Sequence, residues 1–186
     1  MKSIRNSMMA GAVGLFLMGA VPAMASIPSA MSNFSPQEQA AMVADEDTLH
    51  GQVQCTDYVY SLLASKKEPI PRGMGNGFQW DDTARRRGYT VSSTPKDNSI
   101  GVMERWNSKE GNWGHVFYVN DSAKKGSYYK LDIRHANYGK NPKDAKYYKG
   151  SGTWKETKAK YAGLLSIGGG KKLPVGGFIT KWPGRR

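Results

Sequence analysis

Thiol and imidazole are scarce in this chain: one cysteine and three histidines in 186 residues. A single cysteine cannot close an intramolecular disulfide. His50, Cys55, His115 and His135 show no close ligand pairing of the kind common zinc motifs use, so no metal is expected. Acidic residues are also few, 15 against 27 lysines and arginines, for a formal charge of +12. That balance favours an anionic partner through long-range attraction. No nucleic-acid-binding motif accompanies the basic residues, and nucleic acid is not expected as the partner. Gly168-Gly169-Gly170-Lys171-Lys172 lacks the spacing and the hydroxyl residue of a phosphate-binding loop. No internal repeat is evident, and no second long apolar run follows the N-terminal one.

That N-terminal segment has the layout of a secretion signal. Lys2 and Arg5 precede an apolar stretch from Met8 to Val21, and Pro22-Ala23-Met24-Ala25 supplies a small-x-small cleavage pattern before Ser26. Residues 1–25 are therefore expected to be removed. The remaining 161 residues carry a formal charge of +10 and have the size of one domain. An exported protein, periplasmic or extracellular, follows, expected as a monomer; its candidate anionic partners are cell-wall polymers, anionic lipid and, as the weakest, extracellular nucleic acid. Residues 26–50 read as a lead segment with one short helix, because Ser35-Pro36-Gln37-Glu38 combines a cap, a first-turn proline and a capping-box glutamate.

Residues 51–186 read as the working domain. The pattern predicts a helix from Cys55 to Ser65 with Val59, Leu62 and Leu63 facing a core, and a shorter one holding Phe78, Trp80 and Ala84 before Gly88. Strands are expected at Tyr89–Val91, Ser99–Met103, His115–Val119, Tyr128–Ile133 and Gly177–Trp182. Helices first and strands afterwards indicate an α+β domain with an antiparallel sheet. Residues 140–162, rich in Lys and Tyr, read as a long surface loop or an irregular excursion.

A thiol opening a helix and an imidazole opening a strand are the two parts of a cysteine hydrolase. The helix N-terminus and the imidazole are both expected to lower the thiol pKa of Cys55. His115 would act as base and then as acid, and needs a third group to orient it. If the strand after Tyr128 runs on far enough, alternation puts His135 and Asn137 on one face. Trp80, Trp113 and Tyr138 are candidates for substrate contact.

The ordered segments resemble the CHAP domains, cysteine, histidine-dependent amidohydrolases/peptidases of the broader papain-like NlpC/P60 group. Gly51-Gln52-Val53-Gln54-Cys55-Thr56-Asp57-Tyr58-Val59 is similar to the family's nucleophile segment, with an extra pair of residues before the cysteine. Gly75-Asn76-Gly77-Phe78-Gln79-Trp80 resembles its middle segment, and Gly114-His115-Val116-Phe117-Tyr118-Val119 matches its histidine segment almost letter for letter. The resemblance spans about Gln52 to Trp182. It implies a papain-like fold with the nucleophile helix packed on an antiparallel sheet, a catalytic set of Cys55, His115 and Asn137, and no cofactor. The implied substrate is an amide bond in the peptide part of peptidoglycan, with oxyanion donors from the Cys55 backbone and the side chain of Gln54 or Gln52. Family members often carry Glu-x-Asn after the histidine. Here the corresponding residues are His135-Ala136-Asn137, so the asparagine survives and the glutamate does not. Two rival readings follow: a catalytically silent wall-binding protein using Tyr128, Tyr129, Tyr147, Tyr148 and Trp154, or a secreted lytic toxin acting on other bacteria.

Overall fold

The computed structural model describes residues 54–105, 113–138, 147–155, 163–168 and 172–185. The signal segment and the helix expected after Ser35 lie outside these residues. Helix α1 spans Cys55–Ser65, a 3-10 turn covers Gly77–Gln79, and α2 spans Trp80–Arg86. Seven strands follow: β1 (Thr90–Ser92), β2 (Ser99–Met103), β3 (His115–Lys125), β4 (Tyr128–Ala136), β5 (Tyr147–Lys155), β6 (Leu164–Ile167) and β7 (Leu173–Lys181).

All pairings are antiparallel, in the order β1-β7-β2-β3-β4-β5-β6, and β6 also pairs with β7. Strands β2 to β7 therefore close into a six-stranded ring, with β1 added beside β7. The α+β expectation holds, with the sheet closed where an antiparallel sheet alone was expected. Strand alternation divides the core in two. Met103, Phe117, Val119, Leu131, Ile133, Trp154, Leu165, Leu173, Val175 and Phe178 form one buried cluster on one face of the closed sheet. Ile100, Val102, Val116, Tyr118 and Ile179 face the other way and pack with Val59, Leu62 and Leu63 of α1 and with Trp80 and Ala84 of α2.

Three expectations need correction. Part of the stretch read as a loop at 140–162 is β5, paired along its whole length with β4. One of its glycines is what the closed sheet requires: Gly152 lies against Leu165 and Ile133, where a Cβ would be tightly crowded. Strand β6 was not foreseen, because four residues leave too little alternation to read. Trp154, offered as a wall contact, is fully buried between Tyr129 and Phe178.

Helix α2 follows the helix dipole, with Asp81 and Asp82 in its first turn and Arg85 and Arg86 in its last. Arg85 donates to Asp81 at 2.7 Å and to the carbonyl of Gly176 at 3.0 Å, tying α2 to β7. The Glu104 carboxyl shares the space over Gly176 with Asp81. Burial, and then the neighbouring Asp81 and Asp82 charges, push Glu104 up from 4.5 to about 7. A carboxyl raised in the folded state stabilises the fold below its unfolded pKa and ceases to do so as pH rises through 7. We expect Glu104→Gln to melt like the wild type at pH 4.5 and to be more stable at pH 8 by on the order of 1 kcal/mol, since the group is partly solvated. Thermal melts at the two pH values check this, and an equal shift at both would refute it.

Candidate active site

Cys55 is the first residue of α1, and its neighbours fix the start of the helix. Gln54 occupies the cap position in extended geometry, and its backbone N–H donates to Asp57 at 3.2 Å, one arm of a capping box completed by the Gln54 side chain. The burial of Tyr58, Val59, Leu62 and Leu63 orients α1 so that the Cys55 sulfur meets the backbone of Val116, the residue after His115. His115 opens β3 and pairs with Met103 at the end of β2. Gly77 passes so close to the His115 backbone nitrogen that a Cβ there would lie 2.9 Å from it. A glycine is thus required where the 3-10 turn crosses the start of β3.

His135 lies two residues beyond Ile133 on β4 and takes the same face as Leu131 and Ile133, as His115 takes the face of Phe117 and Val119. The two imidazoles meet edge to face with ring centroids 5.2 Å apart. Tyr138 completes the group, 4.7 Å from His115 and 5.5 Å from His135. Both histidines are buried, and Nε2 of His115 has no hydrogen-bond partner among the described residues.

The strand does not run on to Asn137. It ends at Ala136, and Asn137 adopts left-handed backbone geometry with φ of 52°, a conformation asparagine tolerates better than most residues. Alternation stops there. The Asn137 side-chain amide donates to Gln54 Oε1 at 2.7 Å, reaching the cap of the nucleophile helix. Residues 135 and 137 therefore address different partners, the first a ring of His115 and the second the residue ahead of Cys55.

The electrostatics correct one expectation. Desolvation outweighs every other influence on Cys55 and pushes its thiol up to about 11, although the residue keeps some exposed surface. The backbone hydrogen bonds of Val116, Thr56 and Cys55 itself pull the other way, and the Asp57 charge adds to the rise. Burial, and then the proximity of His135, hold His115 well below 6.5. Burial lowers His135 to about 4. At neutral pH the resting pair is thus a thiol and an imidazole, both uncharged.

Of the three aromatic candidates, Trp80 is a core residue. It is fully buried, its ring tilted against Tyr60 at a centroid distance of 4.8 Å, with its indole N–H donated to the Gly75 carbonyl at 3.0 Å. Substrate contact is thereby closed to it. Trp113 is 52% exposed, and its carbonyl accepts from Phe78 N–H at 3.0 Å. Arg105 stacks on Phe78 with its guanidinium 3.6 Å from the ring centroid, a pairing that no local sequence signal marks. Among the described residues no cluster of three or more His, Cys, Asp or Glu could hold a metal ion.

The CHAP domain model matches residues 44–137, half of the chain. This span includes Cys55, His115 and His135 and ends at Asn137. The staphylococcal secretory antigen ssaA2 of Staphylococcus aureus (strain NCTC 8325 / PS 47) is 35% identical over 94 residues, which cover 50% of this chain and 31% of that protein. The staphylococcal secretory antigen SsaA of the same strain is 33% identical over 96 residues, covering 52% and 33%. The matched region is about a third of the length of these relatives. An N-acetylmuramoyl-L-alanine amidase from Staphylococcus aureus is similar in structure with a TM-score of 0.40 and 25% identity, over 52% of this chain and 26% of that one. With the family match extending over half of its residues, the chain belongs to the CHAP domain family.

Proposed function

We propose that this chain is an exported cysteine hydrolase of papain-like architecture that cuts amide bonds in the peptide part of peptidoglycan. The observation that carries the reading is the meeting of the Cys55 sulfur with the backbone beside His115, in a chain of the CHAP family. The secretory names of the staphylococcal relatives and the positive charge support a place at an anionic wall.

The chemistry runs from neutral partners. As the sulfur attacks the amide carbon, the thiol proton passes to His115, and the carbonyl oxygen takes up the negative charge. The backbone N–H of Cys55 and the side-chain NH2 of Gln54 are the donors for that oxygen. Asn137 engages the Gln54 carbonyl and so turns its NH2 outward. His115 then protonates the leaving amine, the C–N bond breaks, and a thioester remains. Water, giving its proton to His115, hydrolyses it and restores the thiol. His135 replaces the usual glutamate as the group that positions His115. A neutral imidazole accepts a hydrogen bond from the transient imidazolium, and a charged one would repel it.

Digestion of purified peptidoglycan, with mass spectrometry of the soluble products, tests the function: new amino termini are expected to name the bond, and an intact polymer would overturn it. A separate prediction concerns His135. His135→Glu is expected to place a negative charge beside His115, raise its pKa and shift the pH profile of Cys55 alkylation downward by about 1–3 units. An unchanged profile would remove His135 from the mechanism. The silent wall-binding reading draws on one observation, the loss of that same glutamate, and predicts wall binding without product.

A further inference from the structure

The end of the ring that carries His115 also carries a cation that, among the described residues, has no carboxylate at ion-pair distance. Met103 pairs with His115, and β2 and β3 are antiparallel, so the chain leaving β2 through Glu104 and Arg105 runs out at the same end as Trp113 and Gly114. Arg105 is exposed, and its guanidinium lies over the Phe78 ring. Phe78 is fixed in turn by its N–H bond to the Trp113 carbonyl and by its close approach to Gly114. Among the described residues no carboxylate lies within ion-pair distance of Arg105. Glu104, its chain neighbour, is turned toward Asp81 and Gly176, and the Arg105 charge is the smallest of the influences on its carboxyl.

We propose that Arg105, stacked on Phe78 beside exposed Trp113, binds a carboxylate of the peptide substrate within a few residues of the amide that is cut. The inference rests on the hydrolase reading and adds a substrate class to it: peptides bearing a free carboxylate. Two residues beyond the Met103–His115 pair correspond to roughly 7 Å of extended chain, about the span of two substrate residues. Stacking holds the guanidinium plane in advance, so little conformational freedom is lost on binding, and its N–H edge stays available for a two-pronged contact with a carboxylate. Phe78 and Trp113 supply apolar surface for the neighbouring part of the peptide.

Two soluble stem peptides that differ only in whether the glutamyl carboxylate is free or amidated provide the test. Binding is measured by calorimetry with Cys55→Ala, and turnover with the active protein. The free-carboxylate peptide is expected to bind and to show a KM at least about tenfold better, with kcat similar for the two. Arg105→Gln should abolish the preference, and Arg105→Lys, which keeps the charge without the flat fork, should retain only part of it. Equal affinity of Cys55→Ala for both peptides, or a preference that survives Arg105→Gln, would overturn the proposal. Selective binding without turnover by the active protein would instead overturn the hydrolase reading and leave the carboxylate site standing. Melting curves of the Arg105 variants matching the parent protein ensure that binding, not folding, is compared.

Discussion

Cys55→Ala is expected to reduce product release from peptidoglycan by at least about 10³-fold, because no other residue can form the thioester. The substitution removes a sulfur from a partly buried position at the start of α1 and leaves Gln54, Asp57 and the apolar face of the helix in place. The variant should therefore fold and bind the wall as the parent does. The manner of activation has its own signature. With the thiol pushed up to about 11, only about one molecule in ten thousand carries a thiolate at pH 7. Alkylation by iodoacetamide should then rise about tenfold per pH unit from pH 6 to pH 9. A preformed thiolate–imidazolium pair would show a plateau over that range, and such a plateau would refute the neutral resting pair. Retained digestion by Cys55→Ala would refute the cysteine mechanism altogether.

The other large effect is on stability. Gly101 sits in the middle of β2, paired with Phe117 of β3 and Phe178 of β7. A Cβ built on it collides with the tip of the Phe117 ring, which is fully buried and in contact with Phe178 at a centroid distance of 6.3 Å. The ring cannot move into solvent, so Gly101→Ala must push strands apart or force Phe117 from its rotamer. The expected cost is at least about 3 kcal/mol, the upper end for overpacked cores, or roughly 10 °C in melting temperature for a domain of this size. Gly150→Ala is the control, since nothing lies within 4 Å of a Cβ there. A Gly101→Ala protein melting within 2 °C of the parent would show that the ring interior has slack.

Much of the molecule is legible in the sequence because its signals are local. Helix α1 has the bounds its pattern predicts, since Val59, Leu62 and Leu63 fall on one stripe and Glu68-Pro69 ends it. Strand β2 has the predicted bounds too, and β3 and β4 begin where expected and run on further. What is missing from the sequence is nonlocal. The surroundings of Cys55 depend on how α1 docks on β3, and that docking reverses the pKa shift expected from the helix N-terminus and the imidazole. Trp80 looks like a binding residue only until α1 and the sheet close over it. The division between His135 and Asn137 rests on a single left-handed residue after Ala136, and period-two alternation cannot announce where it will stop. Strand β5 hides behind its glycines and lysines, whose spacing reads as a loop until β4 and β6 flank it.

Strand β7 has pairing partners on both sides of the seam: β2 along one edge, β6 and β1 along the other. It is also the last strand in chain order. A chain growing from its N-terminus therefore holds two open edges, β2 and β6, until residues 173–181 have been made. Ring closure is a terminal event in time as well as in space. Seating the final strand covers the free edges of β2 and β6, on which another chain could otherwise template.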